Sequence, residues 1–286
     1  MQDIFNSSQT VIREAKIHSY HNLGILICAV NNATSGLRLA GKILNSAVDK
    51  ATVLFLSGGK TPKELYAQIA KEETLNPGAV GLVDERFGKP MHENSNEKMM
   101  KETGLLQYLK KTNVPLYLIL QCHPGGRLRR PIGSLDSIAS LQNDTNREET
   151  ARRYEQQLRI LHSTYRKHVT VLGIGVDGHT AGIPATSSLN LQGDALESWM
   201  EDLRSRSKNR MVIDYNDKGG FYKERITMTF TALSMMDLLI VLVFGKEKNH
   251  ALKLLFSEGS EEEVSARFFR RPEIAKKTIL ITDQTI

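Results

Sequence analysis

Asp177 and His179 stand two residues apart in HVTVLGIGVDGHTAGIPA, directly after an apolar run that reads as a strand, Val169 to Ile174. Histidine accepts a proton near neutral pH, and a neighbouring carboxylate can orient the ring and stabilise its charged form. The pair suits activation of a water molecule. A structural hydrogen bond would explain a lone loop histidine better; the glycines on both sides shift the balance modestly towards chemistry. The same stretch spells G-x-G-x-x-G through Gly173, Gly175 and Gly178. A dinucleotide fingerprint needs a helix to begin at once and an acidic residue about 20 positions on. Pro184 and the polar stretch beyond it supply neither.

Three further segments hold candidate groups. In ATVLFLSGGKTPKELYAQIA a strand ends at Ser57, Gly58 and Gly59 permit a tight turn, Thr61 suits an N-cap and Pro62 the first helical turn. A helix N-terminus presented by a glycine loop offers free N–H groups and the positive end of the helix dipole, so it attracts phosphate, and Lys60 adds a full charge. An ordinary strand-to-helix connection remains open from this segment alone. A Walker A loop is excluded, because Leu54 stands where its first glycine must be. In VGLVDERFGKPMHENSNEKMM, Asp84, Glu85 and Arg86 follow a short strand and fall at the carboxyl edge where open α/β sheets bind ligands; a solvated turn with a local ion pair is the alternative. In KERITMTFTALSMMDLLIVLVFGKEKNHALKLL, Arg225 precedes one strand and Lys248 follows the next, opening a helix. Together they can hold a phosphate dianion, the arginine in bidentate fashion and the lysine as a point charge; singly, each reads as a surface cation.

The elements that must position these groups alternate along the chain. Strands are expected over Leu23 to Val30, Ala51 to Ser57, Val80 to Val83, Val114 to Leu120, Val169 to Ile174, Ile226 to Thr229, Leu238 to Phe244 and Thr278 to Ile281, with helices near Ser35 to Val48 and from Pro62. Short continuous apolar runs separated by helical stretches predict a mostly parallel sheet covered on both faces, a doubly wound α/β layout. No repeat or linker divides the chain, so residues 1–286 are read as a single α/β domain with inserts near 122–148 and 186–217, the second carrying the only tryptophan, Trp199.

Composition narrows the function class. The longest apolar run, Leu238 to Phe244, is far shorter than the about 20 residues a membrane span needs, and the first residues lack a secretory pattern, so a cytoplasmic protein is expected. Cys28 and Cys122 show no metal-ligand spacing, and Cys28, in LGILICAV, reads as a buried reduced thiol. A net charge of +6 favours anionic partners in general. The cluster Arg127, Arg129 and Arg130 has no interleaved aromatics and reads as a solvated loop, so no nucleic acid is expected.

Taken in order, SGGKTP, DERF with HENSN, GIGVDGHTAG, RITMTFTAL and GKEKNHAL closely resemble the 6-phosphogluconolactonase family and the related glucosamine-6-phosphate deaminases, over Leu23 to Ile281. The resemblance implies a Rossmann-like three-layer α/β/α fold of the kind shared by glucosamine-6-phosphate deaminase, ribose-5-phosphate isomerase and CoA transferase. It implies an active site at the strand carboxyl ends with no metal or organic cofactor, a phosphorylated sugar lactone as substrate, and a monomer or small homo-oligomer. Carried over by position, Ser57, Gly58, Gly59, Lys60 and Thr61 match the phosphate cradle, with Arg225 and Lys248 as its cations. Asp84 and Arg86 match the segment lining the sugar pocket, and Asp177 and His179 the loop whose histidine serves as base. The lactonases usually read DGHTASLFP where this chain has DGHTAGIPA, and a small residue where it has Lys60. The deaminases carry a glutamate where Pro184 stands, which favours the lactonase over deaminase or isomerase chemistry. A sugar-phosphate sensor is a third reading; no helix-turn-helix accompanies the Asp177/His179 pair here.

Overall fold

In this computed structural model residues 2–120, 147–218 and 222–286 are described. Cys122, Arg127, Arg129, Arg130 and most of the 122–148 insert lie outside them. In chain order the strands are β1 (His18–Asn22), β2 (Ile25–Ala29), β3 (Thr52–Leu56), β4 (Ala79–Leu82), β5 (Asp84–Arg86), β6 (Leu116–Tyr117), β7 (Lys167–Gly173), β8 (Val212–Asn216), β9 (Glu224–Met228), β10 (Leu238–Val243) and β11 (Thr278–Thr282). The α-helices are α1 (Gln2–Glu14), α2 (Ala33–Ala47), α3 (Lys60–Glu72), α4 (Asn96–Glu102), α5 (Leu105–Lys111), α6 (Arg147–Thr164), α7 (Gly193–Ser207), α8 (Phe230–Ser234), α9 (Asn249–Phe256) and α10 (Pro272–Ala275).

The continuous apolar runs behave as strands covered on both faces: every residue of β3, β4, β10 and β11 is buried. Among the described residues they join a sheet of eight strands in the order β1-β2-β11-β10-β7-β3-β4-β6, parallel throughout except for β1 against β2. Helices flank this sheet in a three-layer α/β/α arrangement; α2 packs on α1 and α3, while α3 reaches β7 and β10. Two tyrosines fasten helices to strand ends. The Tyr66 hydroxyl of α3 donates to the Ser57 carbonyl at 2.7 Å, and the Tyr154 hydroxyl of α6 accepts from the Leu82 N–H at 2.8 Å. Cys28 is buried and free, and desolvation pushes its thiol up to about 12, so it stays protonated.

Several expectations need correction. The run Leu23 to Val30 is not one strand: Leu23 and Gly24 adopt positive φ and turn the chain between β1 and β2. β1 is polar and largely exposed, so it carries no apolar signal. Val114 to Leu120 shrinks to the two residues of β6, where Pro115 lacks an N–H and only its carbonyl pairs, with the Val80 N–H at 2.9 Å. Ile226 to Thr229 does not enter the parallel sheet. Its residues fall largely in β9, the middle of a separate antiparallel sheet in the order β5-β9-β8. α3 begins at Lys60, with Gly59 rather than Thr61 at the N-cap and no side-chain cap. The segment 186–217 contributes α7, none of whose residues is buried, and β8, which is buried over four of its five positions. α1, which the sequence reading passed over, buries Ile4 and Ile12 and packs on α2.

Near the amino end of β7 the His162 ring of α6 stacks on His168 with centroids 4.1 Å apart, and Nε2 of each is buried without a hydrogen-bond partner. Burial, and then the neighbouring His168, lower His162 from its ordinary 6.5 to about 4, against the pull of Asp237. Its folded value lies below its unfolded one, so the fold keeps its full advantage above about pH 6.5 and loses it as the pH falls towards 4. The expected cost is ~1–2 kcal/mol, discounted because the ring is partly exposed. Urea unfolding of His162→Phe beside the parent at pH 7 and pH 5 checks this: the parent should lose more stability on acidification than the variant.

Candidate active site

β10, β7 and β3 are consecutive and parallel, so the segments that follow them leave the sheet at one edge: 245–248, 174–183 and 57–61. This is the carboxyl edge, where open α/β sheets bind ligands.

After β7 the chain forms a knot of short contacts around His179. Its Nδ1 lies 2.6 Å from Asp177 Oδ1, and its backbone N–H donates to the same oxygen at 3.2 Å. A carboxylate can only accept, so Nδ1 carries the proton and the Nε2 lone pair is left as a base. Burial alone would raise the Asp177 carboxyl. The hydrogen bonds and charge of His179, with a bond from Ser188, outweigh burial and hold it well below the usual carboxylate range. The carboxylate therefore stays ionised through the physiological range.

The departure DGHTAGIPA has a structural cause. Thr180 bridges both Ile174 and Ile183, and Ala181 and Gly182, with φ of 53° and 69°, make the turn between Thr180 and Ile183. A methyl group on Gly182 would come within 3.0 Å of the Asp84 carboxylate. The altered loop is thus fitted to Asp84. Pro184, in the place of the deaminase glutamate, is buried.

The small antiparallel sheet, absent from the sequence reading, brings the DER segment to this loop. Asp84 and Arg86 share one face of β5 by the two-residue period and stand opposite Thr227 and Arg225 of β9; Tyr215 of β8 faces Arg225. The Thr227 hydroxyl donates to the Ala181 carbonyl and the Tyr215 hydroxyl to the Gly182 carbonyl. Arg225 Nε binds Asp217 at 2.8 Å. Arg86 donates from Nη1 to the Asn94 carbonyl at 2.7 Å and lies over the Tyr222 ring, while its Nε is buried with no hydrogen-bond partner.

The glycine loop is tied to the same segment through Asn96. Its Nδ2 donates to the Asp84 carbonyl at 2.8 Å, and its Oδ1 fills the space beside Gly58 that a side chain would take. Ser57 Oγ and Asn96 Oδ1 are both buried without a partner. Lys60 is exposed in the first turn of α3, and Thr61 is half-exposed. On the far side Lys248 Nζ donates to the Ile174 carbonyl at 2.7 Å. Burial lowers its pKa, while Glu247 and Asp177 pull the other way. The two cations expected on one phosphate thus have different partners, Asp217 for Arg225 and a main-chain carbonyl for Lys248.

Glu85 is a residue whose part the sequence did not reveal. Its carboxyl accepts the N–H groups of Arg86, Asn96 and Glu97 at 2.8, 2.7 and 3.0 Å, holding the first turn of α4 against β5. Burial pushes it up to about 8 although those bonds pull downward. Glu85→Ala would leave buried donors unmet, and we expect a stability loss of about 3 kcal/mol. Denaturant unfolding checks this; a loss within a few tenths would deny Glu85 its role as the clasp of α4.

Among the described residues no group of three or more His, Cys, Asp or Glu is placed to hold a metal ion, and no helix is long and apolar enough to cross a membrane. The family described as glucosamine-6-phosphate isomerases/6-phosphogluconolactonase matches residues 33–279. A 6-phosphogluconolactonase of Synechocystis sp. is 27% identical over 256 residues, 86% of this chain and 85% of that protein. One of Rhizobium meliloti is 27% identical over 259 residues, 90% and 94% of the respective lengths. Among solved structures, 6-phosphogluconolactonase from Plasmodium vivax superposes with a TM-score of 0.65 at 18% identity, covering 96% of this chain and 95% of that one. A monomeric glucosamine-6-phosphate deaminase does so with a TM-score of 0.57 at 19% identity, covering 90% and 96%. At such identities these likenesses speak for the fold, whereas the match over residues 33–279 speaks for descent. The chain belongs to the glucosamine-6-phosphate isomerase/6-phosphogluconolactonase family.

Proposed function

We propose that this protein hydrolyses 6-phosphogluconolactone to 6-phosphogluconate, as a cytoplasmic enzyme of the oxidative pentose phosphate pathway, monomeric or a small homo-oligomer. The observation that carries the reading is the Asp177–His179 pair, its Nε2 left as a base, on the sheet edge that also bears the glycine loop. Relatives named 6-phosphogluconolactonase support it, as does Pro184, which denies the site the acid of deaminase chemistry.

In this mechanism the phosphate of the substrate lies against the N–H groups of Ser57 to Thr61, at the positive end of the α3 dipole, with Lys60, Arg225 and Lys248 supplying charge. Asp84 and Arg86 line the sugar. Water attacks the lactone carbonyl as His179 Nε2 takes its proton; Asp177 holds the ring and stabilises the imidazolium. Arg86 and loop N–H groups meet the developing oxyanion. Collapse of the tetrahedral intermediate expels the ring oxygen as the alcohol, with the imidazolium returning its proton. A lactone is an activated ester, so this chemistry needs neither a covalent nucleophile nor a cofactor.

The decisive assay follows 6-phosphogluconate from freshly prepared lactone, enzyme against buffer. Turnover well above the spontaneous rate is expected; a rate equal to that of buffer, together with ammonia release from glucosamine 6-phosphate, would replace this reading with the deaminase.

A further inference from the structure

Beneath α7 lies a cavity of about 400 Å³ in which the proposed catalytic groups have no part. Trp199 and Leu203 of α7 line it, with Pro184, Ile213, Tyr215 and Phe230 among the other lining residues. α7 carries Leu196, Trp199, Leu203 and Ser207 along one face at helical spacing, yet none of its fifteen residues is buried. A helix normally brings such a stripe down onto its neighbours. Here it rests on β8 chiefly through Trp199, whose ring meets that of Tyr215 edge-on and whose Nε1 donates to the Asn216 carbonyl at 3.1 Å, while Arg204 grips Glu262 through two bonds of 2.7 and 2.8 Å. The space left open is within the range of pockets that enclose a small organic molecule, roughly 300–1,000 Å³.

The charges around the mouth indicate what kind. Arg204 pairs with both Glu262 and Glu201, and Arg271 with Glu261. Lys208, exposed at the end of α7, forms no ion pair among the described residues. Among the described residues Lys208 is thus the cation of the lining that has no carboxylate partner, and it stands beside aromatic walls. We propose that this cavity is a binding site for a small aromatic monoanion, its rings enclosed by Trp199, Tyr215 and Phe230 and its carboxylate or sulfonate directed to Lys208. The assignment does not rest on the lactonase reading: of the residues cited for that reading only Pro184 lines the cavity, and none of the groups given a part in the mechanism does.

The test uses the full-length protein and anilinonaphthalene sulfonate, an aromatic sulfonate whose emission rises when its rings leave water. Trp199 is the only tryptophan, so energy transfer from it reports dye bound to the protein, and the substitutions locate it. Saturable one-to-one binding with such transfer is expected, weakened about tenfold in Lys208→Glu by reversal of the rim charge. Leu203→Glu, at a position that is not buried, should remove binding while the urea midpoint stays near that of the parent. Addition of 6-phosphogluconate should leave the dye in place. Non-saturating binding, binding unchanged by both substitutions, or displacement by 6-phosphogluconate would each overturn the proposal, the last by locating the dye in the catalytic cleft.

Discussion

His179→Ala should lower kcat for 6-phosphogluconolactone by ~10²–10⁴, the usual contribution of a positioned general base. The geometry makes the loss specific to kcat. The ring is held by Asp177 at 2.6 Å and makes no other hydrogen bond from its side chain among the described residues, so its removal should leave the phosphate anchor and KM nearly unchanged. Asp177→Asn offers the internal comparison. An amide in place of the carboxylate can present its N–H₂ to Nδ1 and turn the proton onto Nε2, the wrong tautomer for a base, so kcat should again fall with little change in KM. The measurement is initial rate against lactone concentration, corrected for spontaneous hydrolysis. Parent-level kcat in His179→Ala would remove the imidazole from the mechanism.

Gly58→Ala should be the most damaging single methyl group that can be added to the site. It would sit 1.9 Å from Asn96 Oδ1, and Asn96 is almost wholly buried with its Nδ2 bonded to the Asp84 carbonyl. Relief requires Asn96 to move, which breaks that bond, or the glycine loop to lift, which spoils the proposed phosphate cradle. Overpacking and a lost buried hydrogen bond together point to a stability loss of about 3 kcal/mol, with KM rising about tenfold or more for the phosphorylated lactone. Shortening the obstacle should reverse most of this. In an Asn96→Ala background Gly58→Ala should cost well under half as much, and a double-mutant cycle of urea unfolding energies measures the difference. Additive losses would mean that the two residues do not meet.

The parts of this site legible in the sequence were those written in local chemistry. Apolar runs flanked by glycine loops marked the ends of β3 and β7, because a strand covered on both faces must be apolar throughout and a sharp exit from it needs glycine. What stayed hidden was written in long-range pairing. Nothing in RITMTF says that it crosses antiparallel to DER, since the first reads as an isolated short strand and the second as the turn that follows one. Nor does Glu85 announce that its carboxyl serves residues 11 and 12 positions ahead. VIDYN in β8 alternates too weakly to stand out in a polar neighbourhood, yet its Tyr215 ties the small sheet to Gly182. The N-cap of α3 was misplaced for a different reason. Thr61 and Pro62 are favoured types at such positions, but the helix begins as soon as Gly59, at φ 111°, has turned the chain.

The polar hairpin that opens the large sheet has a bearing on how the folded protein behaves in a crowd. A sheet of eight strands has two borders, and any border with free backbone groups invites a neighbour to add a strand. Among the described residues one border is β1, whose His18, Ser19 and His21 are exposed, and the other is β6, two residues long beside a proline. Each is a poor template for lateral accretion: the first would have to strip water from histidines and a serine, and the second is too short to seat a strand. The segment least informative about the fold is thus the one that keeps its parallel core from being copied outward into a fibril.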